Sequence, residues 1–320
     1  MRKKPNLLIY DDLVEPISEA IKELRDIQTH YQNDTPPADF INKGTFAYVL
    51  ALFEGSVSEC VERYLFAFPE KLPKVKIDFE KYKDELLGAD FSYELTALLI
   101  REYLADSSYE NSGQLIEKYC QLLDVTNLAP LFNKTLREKK ARRNALIHNN
   151  LKVDLKYIRT AGTDTRNKGK YMRVKPAYVL ETIVSTLEIL EKLQAELALK
   201  YSSYTILNCV KEVWGHLFGS AIMKFDDYWN VHDDMLSIKV EGIKKYYKSL
   251  SSGERTLLFY FLQNYSPGAC SKIFKTHDLN MQVSNNHGMI FLVSVFDRFP
   301  LLLQNLKSIK PSAVFKYVTE

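Results

Sequence analysis

The stretch Arg142-Arg143-Asn144-Ala145-Leu146-Ile147-His148-Asn149-Asn150 places two arginines, an amide and an imidazole within its first seven residues, on what reads as the C-terminal part of a helix. At about 100° per residue, Asn144 and His148 share a face. Arg142 and Arg143 lie further round, with stems long enough to swing a guanidinium towards the imidazole. Guanidinium grips phosphate oxygens as a fork, and imidazole exchanges a proton near neutral pH. Judged on spacing alone, the stretch is a solvated helix end whose cations sit near the negative pole of the helix dipole. Its surroundings shift that balance.

From Lys134 to Lys175 the chain carries fourteen Lys and Arg against three Asp and Glu, a local charge of +11; the whole chain is +3, which leaves −8 for the rest. A field of this kind attracts polyanions, and phosphate contacts would make the binding salt-dependent. The candidate contacts are Lys139, Lys140, Lys152, Lys156, Arg159, Arg166, Lys168, Lys170 and Arg173. Tyr157 and Tyr171 add stacking surfaces for unpaired bases. The overlap of charge and motif favours a nucleic-acid or nucleotide site.

Upstream, Leu13, Ile17, Ile21 and Leu24 recur at helical spacing among charges, which predicts an exposed helix over 13–32. Asn33-Asp34-Thr35-Pro36-Pro37 breaks it. Phe46, Val49, Leu50, Phe53, Val57, Val61, Tyr64, Leu65 and Phe68 form a broad apolar stripe, a helix over 45–68 that Pro69 and Pro73 end. Glu54 lies beside this stripe, where it faces either a polar pocket or solvent. Helices follow over 92–105, over 112–123 with Ser112 as N-cap, and over 133–148, the last carrying the opening stretch.

After Asn150 the segments 155–159 and 171–174 are short and contain Tyr, Ile and Val, with Thr160 to Lys170 between them. They read as a β-hairpin or a mobile loop. Pro176 suits the first turn of a long helix running to about Lys200. Ser202-Ser203 marks a domain boundary, and helical stretches recur over 206–223, 240–247, 255–262 and 289–306.

The length of 320 residues and the 46% apolar fraction fit a folded protein of up to two domains. No apolar run is long enough to span a membrane. No apolar segment follows Met1-Arg2-Lys3-Lys4-Pro5, so a secretory signal is not expected. Cys60, Cys120, Cys209 and Cys270 are far apart, without a CxxC pair, and read as free thiols of a cytoplasmic protein. His232-Asp233-Asp234, with His216 upstream and Asp297 further on, hints at a metal site. That grouping is of a size chance supplies, and neither a metal nor a cofactor is expected. Leu250 to Leu258 resembles the signature segment of ABC-type ATPases. Without a Gly-rich phosphate loop elsewhere, it reads as a helix start capped by Ser251 or Ser252.

Residues 43 to about 200 resemble a HEPN domain, an all-α bundle of bacterial and archaeal defence and toxin systems. The resemblance rests on the R-x4-6-H signature, present as Arg143-Asn144-Ala145-Leu146-Ile147-His148 with the polar residue the family places after its arginine. The long aromatic-rich helix 46–68 and the Pro-initiated helix after a polar connection are similar to the family's flanking elements. The expected architecture is all-α. Residues 1–42 would form an N-terminal helix and linker and residues 43–202 a HEPN-like bundle with a small hairpin or loop insertion. Residues 203–320 would form a second, mainly helical domain that resembles nothing in particular.

The resemblance implies a metal-independent endoribonuclease, acting as a homodimer on tRNA, mRNA or rRNA, with an antitoxin or defence-system protein as a further partner. Arg143 would neutralise the scissile phosphate, His148 would act as general acid or base, and Asn144 would orient one or the other. Arg142 offers a second Arg-to-His spacing, so the catalytic arginine stays open between the two, and Glu54 is a candidate auxiliary residue. The family also contains members that bind RNA, nucleotides or proteins without cutting.

Overall fold

The computed structural model describes residues 8–33, 38–88, 92–108, 112–125, 128–205, 208, 211, 214, 224–232, 235–239 and 249. Most of them are helical. In chain order the elements are α1 (Tyr10–Asn33), α2 (Asp39–Ala67), a 3-10 turn at Pro69–Lys71, α3 (Lys83–Leu87), α4 (Ser92–Ser108) and α5 (Ser112–Leu122). Then come α6 (Ala129–Asn149), α7 (Leu155–Ala161), a 3-10 turn at Thr165–Asn167, α8 (Pro176–Tyr201), α9 (Phe225–Tyr228), β1 (Trp229–His232) and β2 (Met235–Ile238).

The core is built on α2 and α8. Phe46, Val49, Phe53, Val57, Val61 and Leu65 of α2 are buried in one cluster with Val179, Ile183, Leu190, Leu193 and Leu197 of α8. Phe68 and Tyr201 close one end against Tyr64, with ring centroids 4.7 and 5.8 Å from it.

The helix expected to be exposed, α1, belongs to this core. Leu13, Ile17 and Leu24 are at most 1% accessible, and the charges that suggested exposure lie on the opposite face. Those charges tie α1 to its neighbours: Arg25 meets Glu191 and Arg63 meets Glu15, both at 2.8 Å. Pro16 inside α1 has no N–H to give the carbonyl of Asp12. The Arg63 guanidinium donates to that carbonyl instead.

The segment expected as part of a β-hairpin or a mobile loop, 155–159, is helical. Asp154 caps α7 by accepting from the Tyr157 N–H at 2.7 Å, and Gly162 ends it at a φ of +68°. This is an N-cap followed by a left-handed C-cap, the chemistry that starts and stops a short helix. The strand-like pairing survives only as an antiparallel bridge between Lys152 and Tyr171.

In the C-terminal part, between the helices expected over 206–223 and 240–247, β1 and β2 pair antiparallel. Trp229 pairs with Ile238 and His232 with Met235. The predicted helices over 240–247, 255–262 and 289–306 lie outside the described residues, as does all of 206–223 except residues 208, 211 and 214. So do His216, Asp233, Asp234, Asp297, Cys209, Cys270 and the Leu250–Leu258 segment. No described helix is long and apolar enough to cross a membrane. Cys60 and Cys120 are buried free thiols, and burial pushes both up to about 12.

Candidate functional site

Helix α6 presents three faces, and each takes a different set of its polar residues. Residues three or four apart are neighbours on a helix surface. Glu138, Lys139 and Arg142 face α8. Lys140 and Arg143 face α2. Ala141, Asn144, Ala145 and His148 face α7.

On the α8 face, Glu138 is the hub. It accepts from the Tyr157 hydroxyl at 2.6 Å, from the Tyr178 hydroxyl, and from Arg142 at 2.8 Å. Burial alone would raise its carboxyl, but these three donors outweigh it and hold the group below the usual carboxylate range. The same contacts act in reverse on the tyrosines. Burial and then the Glu138 carboxylate push Tyr157 up to about 12, and Tyr178 also rises. Arg142 donates further to the Arg173 carbonyl at 3.2 Å and lies 4.0 Å over the Tyr178 ring. Lys139 is 4% accessible and pairs with Glu181 at 2.7 Å.

On the α2 face, Glu54 takes both cations: Lys140 at 3.1 Å through one oxygen and Arg143 through the other. The Arg143 Nε is buried with no hydrogen-bond partner among the described residues. Glu54 therefore sits where two cations from a helix some ninety residues later meet α2. Its position beside the apolar stripe of α2 brings it to that seam.

On the α7 face lies a small open pocket of about 100 Å³, lined by Ala141, Asn144, Ala145, His148, Asn149, Asp154, Lys156, Tyr157 and Thr160. His148 is exposed and has no hydrogen-bond partner among the described residues. Asn144 and His148 thus come together as the sequence predicts. Arg143 does not join them: five residues along one helix put its side chain about 140° from that of His148.

The chain turns back directly after the histidine. Asn150 and Leu151 both take positive φ, +46° and +63°. Asn tolerates this conformation; for Leu it costs about 1–2 kcal/mol. Burial of the Leu151 side chain to 2% accessibility offsets that cost. Val153, Tyr157 and Ile158 then pack on Ala141 and Ala145 as a small separate core. Arg137 of α6 donates to the carbonyls of Arg159 and Thr160, covering the C-terminal end of α7.

No protein-family model, curated protein or solved structure matches the chain. What the site can do follows from its own residues.

The predicted nucleic-acid contacts divide. Lys139 and Lys140 are spent on carboxylates inside the bundle, and Arg166 pairs with Asp164. Lys170 donates to Asn167 at 3.1 Å. Lys152, Lys156, Arg159, Lys168 and Arg173 are exposed, without an ion-pair partner among the described residues. Tyr157, expected as a stacking surface, is 6% accessible and held by Glu138. Among the described residues, no three of His, Cys, Asp and Glu are grouped to hold a metal ion.

Sequence reading passed over Glu138, Tyr178 and Asp154. The spacing of Glu138 from Arg142 and of Asp154 from Tyr157 could have flagged two of them. Nothing local marks Tyr178, which reaches the hub from another helix.

Proposed function

We propose that the chain is a metal-independent endoribonuclease of HEPN type, a toxin or anti-phage effector acting as a homodimer. The observation that carries this reading is His148. It stands exposed beside Asn144 in an open pocket, on a surface with exposed lysines and arginines.

The chemistry requires nothing beyond these side chains. The imidazole of His148 takes the proton of a ribose 2′-hydroxyl. The 2′-oxygen attacks the adjacent phosphorus, the bond to the 5′-oxygen breaks, and an imidazolium returns a proton to the leaving oxygen. The products are a 2′,3′-cyclic phosphate and a 5′-hydroxyl. Arg142 is committed to Glu138, to a carbonyl and to a ring, and Arg143 to Glu54. Arg143 has the fewer contacts to give up, so it is the arginine that a phosphate displacing Glu54 would recruit. Since Arg143 is turned to α2 and His148 to the exposed side of the helix, Arg143 would have to leave Glu54 before it could share a phosphate with the histidine of either copy.

A second reading, an RNA-binding module without cleavage, is favoured by one observation: Glu54 already occupies Arg143. The deciding assay incubates the full chain with tRNA or total RNA in excess EDTA, alongside His148→Ala and Arg143→Ala. Cleavage by the parent with cyclic-phosphate ends, reduced by about 10²–10⁴-fold in His148→Ala, supports the enzyme. Undiminished cleavage by His148→Ala sinks the mechanism. Binding by all three proteins with no cleavage selects the second reading.

A further inference from the structure

Tyr171 is 68% exposed. A single exposed tyrosine is ordinary, but its setting is not. The Lys152–Tyr171 bridge is flanked by bonds from the Val153 N–H to the Lys170 carbonyl at 2.9 Å and from the Met172 N–H to the Leu151 carbonyl at 3.0 Å. This pattern makes Lys152 and Tyr171 a non-hydrogen-bonded pair, with side chains on one face and Cα atoms about 4.5 Å apart.

The inward positions of the same short ladder are Leu151, Val153 and Val174, at 2%, 4% and 1% accessibility. Alternation along the two segments turns Lys152, Tyr171 and Arg173 outward together. Their side chains have no hydrogen bond, ion pair or ring contact among the described residues. The ring thus lies open on the face that carries these two cations. The segment is joined to the helix of the histidine through its backbone: the Lys152 N–H donates to the carbonyl of Asn149 at 2.9 Å, one residue past His148.

We infer that Tyr171, with Lys152 and Arg173, is a platform on which an unpaired RNA base stacks while its phosphate lies towards His148. Single-stranded RNA is then the substrate class. The inference rests on the ribonuclease reading above. A flat ring on one face with cations suits a strand whose bases are free, since any base offers a face to stack and the cations follow its phosphates. A duplex keeps its base faces inside its own stack and presents only phosphates, sugars and groove edges.

The test uses the full chain carrying His148→Ala, so that RNA is not consumed, with and without Tyr171→Ala or Tyr171→Phe. The probe is a decameric oligoribonucleotide with one 2-aminopurine, used single-stranded or annealed to its complement. The parent and Tyr171→Phe are expected to prefer the single strand and to change its 2-aminopurine fluorescence by stacking. Tyr171→Ala should lose that signature and bind the single strand about 5- to 100-fold more weakly, with duplex binding unchanged. If Tyr171→Ala binds and stacks like the parent, or the duplex binds as tightly as the single strand, the platform is overturned and RNA binding stands. If the parent binds neither form at low salt, the platform and the RNA reading fall together.

Discussion

Lys139, Lys140, Arg142 and Arg143 lie before Asn150; Lys152, Lys156, Arg159 and Arg173 lie after it. Along the sequence they are one basic segment. In the folded chain the first four each meet a carboxylate, Glu181, Glu54 or Glu138, and all four have little exposed surface. The second four face solvent with no such partner among the described residues. Two of the three neutralising carboxylates, Glu54 and Glu181, come from α2 and α8, far along the chain. A charge sum over a window cannot see them. A basic run therefore measures the available field only after subtracting the carboxylates that tertiary packing brings to it.

This contrast predicts that substitutions before Asn150 act on stability and those after it on binding. The largest stability effect should come from Glu138→Ala. It strands the Tyr157 and Tyr178 hydroxyls and Arg142 together, for a loss of about 3 kcal/mol in urea unfolding followed by circular dichroism. Glu138→Gln keeps acceptors for the tyrosines and should lose less. If Glu138→Ala unfolds like the parent, the hub contributes nothing and the contrast breaks.

Next comes the alkaline limb of the same hub. Tyr157 is raised to about 12, so the unfolded chain loses this proton from about pH 10 while the folded chain retains it. Stability present below about pH 10 should therefore fall through about pH 12, and Tyr157→Phe should flatten the fall. On the acid side the sign reverses. Glu138 is lowered, so its contribution is present above the ordinary carboxylate range and is lost as pH drops through its depressed value.

Glu54→Gln should cost about 1–2 kcal/mol by loosening Lys140 and Arg143. With Arg143 freed, the same variant sharpens the choice between cutting and binding: a rise in cleavage would mark the Glu54 pair as a restraint. At the small end, Lys156→Ala combined with Arg159→Ala should stay within about 0.5 kcal/mol of the parent in stability. It should still weaken RNA binding and reduce the salt slope by about 0.7 for each phosphate left without its cation. A large stability loss there would mean that the second half also has hidden partners.

Helices with a wide apolar stripe were legible from the residues, which is why α8 emerges close to its observed limits and α2 close to its observed end, though α2 begins six residues before the expected start. The site's Asn144–His148 pairing was legible too, because spacing on one helix needs no knowledge of the fold. Three features were not. The burial of α1 was obscured by the charges on its outer face. The seven residues of α7 are too few for periodicity, and only Asp154 and Gly162 mark its ends. The separation of Arg143 from His148 follows from helix geometry alone, but the pairing of Arg143 with Glu54 needed α2 in place.

The bridge between Lys152 and Tyr171 also fixes how the molecule can be re-engineered. It brings the two ends of the segment that carries α7 within a strand spacing of each other, so this segment is a closed excursion from the bundle. Lengthening such an excursion is cheap, about 0.6 kcal/mol for each doubling, and the helix carrying His148 is already turned back and pinned before it begins. The wall facing the histidine is thus a cassette anchored on α6 through Tyr157 and Ile158. Replacing the outward residues of 155–168 while keeping those two would change the shape and chemistry of the groove and leave Asn144 and His148 on the same rigid helix.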